Sequence, residues 1–160
     1  MPTALGATSL TVAGGWTTFS WFGGDGAAIA NGPLTFSHEG AAVVTITDAF
    51  CPGDVFRVSD GGRTLGSTSP SSSGGSCAPG IADPDSAMAN PVYSSGRFAV
   101  GTGSHSLDVV ASASPWGSGG AWVRIDPLTK DMCKADGWRT IQPFKNQGEC
   151  VSLVATGGRH

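Results

Sequence analysis

Arg97-Phe98-Ala99-Val100-Gly101-Thr102-Gly103-Ser104, continuing through Leu107, Val109 and Ala111 to Trp122-Val123-Arg124-Ile125-Asp126, is the stretch that decides the fold. Phe98 and Val100, then Leu107, Val109 and Ala111, alternate with smaller or polar residues, the period-two mark of a half-buried strand. The glycines of Gly101-Thr102-Gly103-Ser104 permit the positive φ angles of a hairpin turn, so the two runs read as hairpin partners. Ser114-Pro115-Trp116-Gly117-Ser118-Gly119-Gly120 reads as an exposed loop carrying one large aromatic ring. Ala121–Asp126 then returns as a strand. Strands, not helices, organise the chain.

Composition agrees. Among 160 residues there are 25 glycines and 10 prolines, and only 13% are charged. Such a chain suits many short strands joined by turns, and it is long enough to bury a core as one domain. A net charge of −3 gives no basic stripe and argues against nucleic-acid binding. No run of about 18 apolar residues is present, so no membrane span is expected. Met1-Pro2-Thr3 lacks the charged and apolar regions of a signal peptide, so the chain reads as cytosolic or as a mature form carrying a start methionine. The cysteines favour the second. Cys51, Cys77, Cys133 and Cys150 are even in number and lie beside turn residues, which predicts two disulfides and an extracellular setting, secreted or at the cell surface. Taken in order, each pair closes a short loop, although spacing leaves all three connectivities open. A zinc knuckle needs closer cysteine pairs than these.

In chain order, Trp16–Phe22 is an aromatic and β-branched strand, with Phe19 and Trp21 on one face and Trp16 and Phe22 on the other, both faces partly covered. Leu34–His38 is a short alternating strand that Glu39-Gly40 turns into Ala41–Phe50, where Ala42, Val44 and Ile46 share a face. Val55–Ser59 and Arg63–Ser67 flank Asp60-Gly61-Gly62, a strong hairpin signal. Ser69–Gly80 lacks periodicity and reads as a flexible loop. A helical turn fits Asp85–Ala89. Beyond Pro127, short helices fit Leu128–Lys134 and Gln147–Ala155, the second with Asn146 as N-cap and Glu149 at N3. About eight or nine strands at this turn spacing predict an all-β antiparallel sandwich of jelly-roll type. Residues 1–126 would form the sandwich. Residues 127–160 would form a small, disulfide-stapled, partly helical appendage packed on or beside it.

Two stretches carry a resemblance. Asp54-Val55-Phe56-Arg57-Val58, the Asp-Gly-Gly hairpin, Gly103–Val109 and Gly120–Ile125 resemble strands of galactose-binding-like jelly-roll modules in bacterial secreted proteins, including those with PEP-CTERM sorting signals. Asp83-Pro84-Asp85 and Tyr93-Ser94-Ser95-Gly96 fit the same group. The likeness covers about residues 15–126. It implies the sandwich topology but no activity, since most members have none assigned. No C-terminal sorting helix follows, so the resemblance does not imply retention by that route. Cys133-Lys134, Gly137-Trp138 and Phe144–Val151 are similar to a short tail on secreted actinobacterial proteins.

Five tryptophans against one tyrosine is the most informative imbalance. Exposed indoles stack on the apolar faces of sugars, and Trp116, in its Gly-rich loop, is the ring most expected at the surface, followed by Trp21 and Trp138. The bland alternative places all five in the core. Asp25, Asp48, Asp54, Asp83 and Asp85 are oxygen donors of the kind calcium takes, with Asp83 and Asp85 the pair singled out as metal ligands. Equally, they are turn-capping aspartates. His38, His105 and His160 are scattered without a metal-ligand spacing. The chain has no Gly-x-Ser-x-Gly elbow and no Gly-x-Gly-x-x-Gly loop. The sequence thus predicts a secreted module that binds a polysaccharide or cell-wall polymer without catalysis or a required cofactor. Trp116 would stack, and Arg97, Asp83 and Asp85 would supply polar contacts. A self-associating extracellular surface or filament protein is the second class. A metal-dependent enzyme using the histidines is the third.

Overall fold

Alternation in these segments builds two facing sheets. The computed structural model describes residues 7–71 and 76–158. Its strands, in chain order, are β1 (Thr8–Ser9), β2 (Thr17–Phe22), β3 (Ala27–Ala28), β4 (Leu34–His38) and β5 (Ala42–Asp48). Then come β6 (Val55–Asp60), β7 (Arg63–Ser67), β8 (Ser95–Val100), β9 (Gly103–Ala113) and β10 (Ser118–Pro127). One sheet has the order β1-β4-β9-β6-β7, with β3 beside β9; the other has the order β2-β10-β5-β8. All pairings are antiparallel except β1 with β4.

Both sheets turn their apolar faces to a shared core. Trp21 of β2 meets Phe56 of β6 edge to face with ring centroids 5.0 Å apart, and Phe19 meets the same ring at 5.5 Å. Such contacts add to the ~2–3 kcal/mol that fully burying a large apolar side chain contributes. Ala42, Val44 and Ile46 of β5 share the core face, as their alternation predicts. All seven residues of β5 are nevertheless buried, because its other face is covered too. Ala41, Val43 and Ala99 lie under the C-terminal segment, while Ala49 lies under Ala87 and Tyr93.

The hairpin expected at Gly101–Ser104 is not formed. β8 pairs with β5 in one sheet and β9 pairs with β4 and β6 in the other, so the chain crosses between sheets there. Alternation marks a buried face but is blind to which sheet owns it. The hairpin at Asp60-Gly61-Gly62 does form, joining β6 to β7, with φ of 56° and 87° at the two glycines. Those left-handed angles are what a primed turn requires.

Helix α1 (Pro84–Met88) begins one residue before the predicted turn because Asp83 caps it, accepting from the Ser86 amide at 2.9 Å, and Pro84 suits the first helical position. After β10 come α2 (Lys130–Cys133), a 3-10 turn (Gly137–Thr140) and α3 (Gln147–Thr156). Asn146 accepts from the Glu149 amide and Glu149 accepts from the amide of Lys145 just before the cap, both at 2.8 Å, so two backbone donors at the helix start are satisfied. The disulfides are Cys51–Cys77 and Cys133–Cys150. The second clamps α2 to α3, and Leu128, Ile141 and both cysteines bury against the outer face of the four-stranded sheet. Gln142 extends that sheet's edge, its carbonyl accepting from Ala99 and its amide donating to Arg97, both at 2.8 Å.

Candidate functional site

The sequence reading assigned partly covered faces to β2, yet Phe22 at its end stands 72% exposed. Phe50, after β5, and Trp116, between β9 and β10, are 42% and 41% exposed. These are the exposed large apolar side chains among the described residues, and the topology gathers them at one end of the sandwich. Ser118 and Gly120 of β10 lie opposite Phe22 and Ser20 of β2. The Phe50 ring covers Gly120, where a Cβ would sit 3.2 Å from it. Phe22 is therefore the diagonal neighbour of the residue beneath Phe50. The Trp116 indole Nε1 donates to the Pro52 carbonyl at 3.1 Å, and the amides of Gly23 and Gly24 donate to the Gly117 carbonyl at 3.1 and 2.8 Å. Three loops thus close on one another, each beside one ring.

Phe50 is held in an unusual way. Its φ of 64° is the left-handed region, which costs a bulky residue about 1–2 kcal/mol. Its amide donates to the Ile81 carbonyl at 2.6 Å, and the Tyr93 hydroxyl donates to its carbonyl at 2.7 Å. A strained conformation fixed from both sides, presenting an aromatic ring to solvent, points to function.

Under the rings lies a polar cluster. Asp48 is fully buried on the inner face of β5, its Oδ1 accepting from the Ala49 amide at 2.9 Å and its Oδ2 from the Asp54 amide at 3.2 Å. Asp54 is 2% exposed, and its own Oδ1 has no hydrogen-bond partner. Ser114 accepts from the Trp21 indole at 2.9 Å, and its amide donates to Asp25 at 2.7 Å. Burial, then the charge of Asp54, pushes the Asp48 carboxyl up to about 8; burial, with a smaller push from Asp25, raises Asp54 to about 6 against the pull of Ser114.

The residues singled out from sequence divide between places. Trp116 stands at the aromatic end. Asp83 is the cap of α1, and Asp85 accepts from the Trp16 indole at 3.1 Å. Arg97 lies farther along the outer face of the four-stranded sheet, in the row Arg97–Thr45–Arg124, and donates to the Thr140 hydroxyl at 3.2 Å. Burial holds its guanidinium below the usual arginine range. Arg124 stacks over Trp16 at 5.3 Å and grips Asp126 through two bonds of 2.7 and 3.1 Å. Asp85 and Arg97 therefore share a polar strip with Trp16 and Arg124, but Trp116 is not in it. Trp21 is fully buried in the core, and Trp138 is packed against the C-terminal cluster.

At the opposite end, a groove of about 810 Å³ runs between α3 and the β6–β7 hairpin, with Arg63, Thr102, Phe144, Glu149 and Leu153 on its walls. His105 lies at its side. Its Nδ1 is 2.6 Å from Asp60 and its Nε2 is 2.7 Å from the Gly101 carbonyl, while its ring stacks on Phe36. Both nitrogens therefore face protein acceptors. His38 stands apart at the end of β4, and His160 lies outside the described residues. Among the described residues no three His, Cys, Asp or Glu side chains converge to hold a metal ion. No described helix is long and apolar enough to cross a membrane.

Phe22, Phe50 and the Asp25–Asp48–Asp54 cluster were not recognisable from sequence as parts of one place. The local signal was an aromatic residue abutting a turn: Phe22 before Gly23-Gly24, and Phe50 before Cys51-Pro52-Gly53. No family model, no curated protein and no solved structure matches this chain.

Proposed function

We propose that this is a non-catalytic binding module for carbohydrate or a cell-surface polymer, and that its binding surface is the end of the sandwich bearing Phe22, Phe50 and Trp116. The observation that carries it is the convergence of these rings, the exposed large apolar side chains among the described residues, on one end. Stacked sugars present apolar C–H faces to such rings, and the rings lose little entropy on binding. Asp25, exposed and bonded to the Ser114 amide, is a hydrogen-bond acceptor for a sugar hydroxyl. The jelly-roll, galactose-binding-like topology belongs to the same proposal, supported by the antiparallel pairing and by the sheet change at every connection from β7 onward. Secretion is supported by the two disulfides. Self-association through the same rings is the second reading, since an exposed apolar patch also serves a protein partner.

The test is retention on insoluble cellulose, chitin, xylan and peptidoglycan, with calcium and with a chelator, for the wild type and for Phe22→Ala. Retention on one polymer that Phe22→Ala loses supports the proposal. Loss with chelator adds calcium to the site. Absence of retention on all four overturns the polymer reading, and growth of particle size with concentration in scattering then supports self-association.

A further inference from the structure

The buried carboxyl pair beneath the aromatic end has a stereochemical requirement. An ionised carboxylate accepts hydrogen bonds and donates none. Asp48 and Asp54 are neighbours, the Asp54 amide donating to Asp48 Oδ2 at 3.2 Å; both are almost wholly buried, and Asp54 Oδ1 lacks any donor. Asp48 already takes amide hydrogens on both of its oxygens, so its lone pairs are directed at the backbone of the turn. Two neighbouring acceptor-only groups out of water, one with an oxygen that nothing donates to, are reconciled by a proton held by the pair.

We propose that Asp48 and Asp54 share one proton in the folded protein, and that this proton locks together the three loops carrying the aromatic surface. The lock follows from the connectivity. Asp48 binds the amides at the start and end of the Ala49–Asp54 turn, which carries Phe50 and Pro52. The Trp116 indole donates to Pro52 of that turn, and in the same loop the Ser114 amide donates to Asp25 in the loop that follows Phe22. Losing the proton leaves two buried charges beside Asp25, with no cation facing them. The other surroundings are neutral: Trp21 from β2, Gly119 from β10, Ser114, and the amide of Gly53. Repulsion is then relieved by admitting water, which opens the turn.

The direction with pH follows from the raised carboxyls. Unfolded, both titrate near the ordinary value of 3.8, whereas the folded pair holds its last proton to about 8. The folded state therefore binds more protons than the unfolded state across that interval, and stability falls as pH rises from about 4 to about 8. Above the upper value the loss is complete. The two steps belong to the pair and not to either residue.

As regulation of the proposed surface, the lock rests on the binding reading, but its first test does not. Carboxyl carbon-13 shifts of the wild-type protein, followed from pH 3 to 10, should show the Asp48–Asp54 pair with at least one step above about pH 5.5. Both carboxyls titrating below about pH 4.5 would overturn the shared proton. Asp54→Asn replaces the proton with a permanent amide donor. Its melting temperature should fall less between pH 5 and 9 than that of the wild type, and acrylamide quenching of tryptophan should rise above pH 8 in the wild type and not in the variant. Equal pH dependence in both proteins would also sink the lock. Polymer retention that is absent at every pH, with a raised carboxyl step present, would remove the binding reading and leave the lock standing.

Discussion

Trp116 donates its indole hydrogen to the carbonyl of Pro52 across 3.1 Å, so the most exposed tryptophan loop is fastened to the turn that begins at Phe50. The ring is thus held by a bond at its polar edge while 41% of the residue stays exposed. Removing it has two consequences that separate cleanly. Trp116→Ala should abolish polymer retention and cost about 1 kcal/mol for the lost hydrogen bond, read as a melting shift of a few degrees. Phe22→Ala, which breaks no side-chain hydrogen bond, should lose retention with a smaller melting shift. A loss above about 3 kcal/mol for either would place that ring in the core instead.

Phe50→Gly tests the strained conformation. Glycine relieves the left-handed φ of 64°, while the contact over Gly120 disappears. These effects oppose each other at about 1 kcal/mol apiece, so urea unfolding should give a midpoint close to wild type. Retention on the polymer should nonetheless fall. A strongly destabilised Phe50→Gly would show that the ring supports the fold more than a ligand.

Gly119→Ala should destabilise without touching the exposed rings. A Cβ there would lie 2.7 Å from the Trp21 indole and 3.4 Å from Asp54 Oδ2, inside the packed end of the core. Overpacking of this kind costs about 1–3 kcal/mol, visible in the denaturation midpoint.

His105→Ala should lose about 2–4 kcal/mol in the same measurement. It removes the ring stacked on Phe36 and strips Asp60 and the Gly101 carbonyl of a hydrogen-bond partner each. Polymer retention at a temperature where the variant remains folded should match wild type, because His105 lies at the far end of the sandwich.

Replacing Cys133 and Cys150 together by serine removes a cross-link between positions 17 apart, worth about 3 kcal/mol in a chain-entropy account. The effect should be concentrated in the C-terminal segment, whose apolar contact with the sheet is confined to a few residues. Limited proteolysis should cut between α2 and α3 before it cuts any strand. Simultaneous loss of the sandwich would show that the segment is required to cover Val43 and Ala99.

Local chemistry was legible from the sequence wherever it acts over a few residues. Asp60-Gly61-Gly62 announced its turn because only small residues tolerate two left-handed angles in succession, and Asn146 with Glu149 announced the start of α3 because the cap spans one turn. The pairing of Phe98 and Val100 with β5, and not with the run after Gly103, was hidden. Both partners offer the same alternating face, and the choice is made by the core that the sheets enclose. The site was hidden for a related reason. Asp25, Asp48 and Asp54 each look like ordinary turn aspartates, and only the crossing of β5 to β6 and β9 to β10 brings them to one place. Exposure of Phe22 was misjudged because alternation tells which side a residue faces but not whether anything covers that side.

The repeated crossing from sheet to sheet has a consequence for how the molecule assembles. From β7 onward no strand pairs with the one that follows it, so neither sheet is completed by neighbours in sequence. Most contacts that close the core join distant parts of the chain, and loop-closure entropy must be met before they form. Folding should accordingly be slow for the chain's size, on the order of milliseconds to seconds, with β6–β7 as a pairing that needs no distant partner to close.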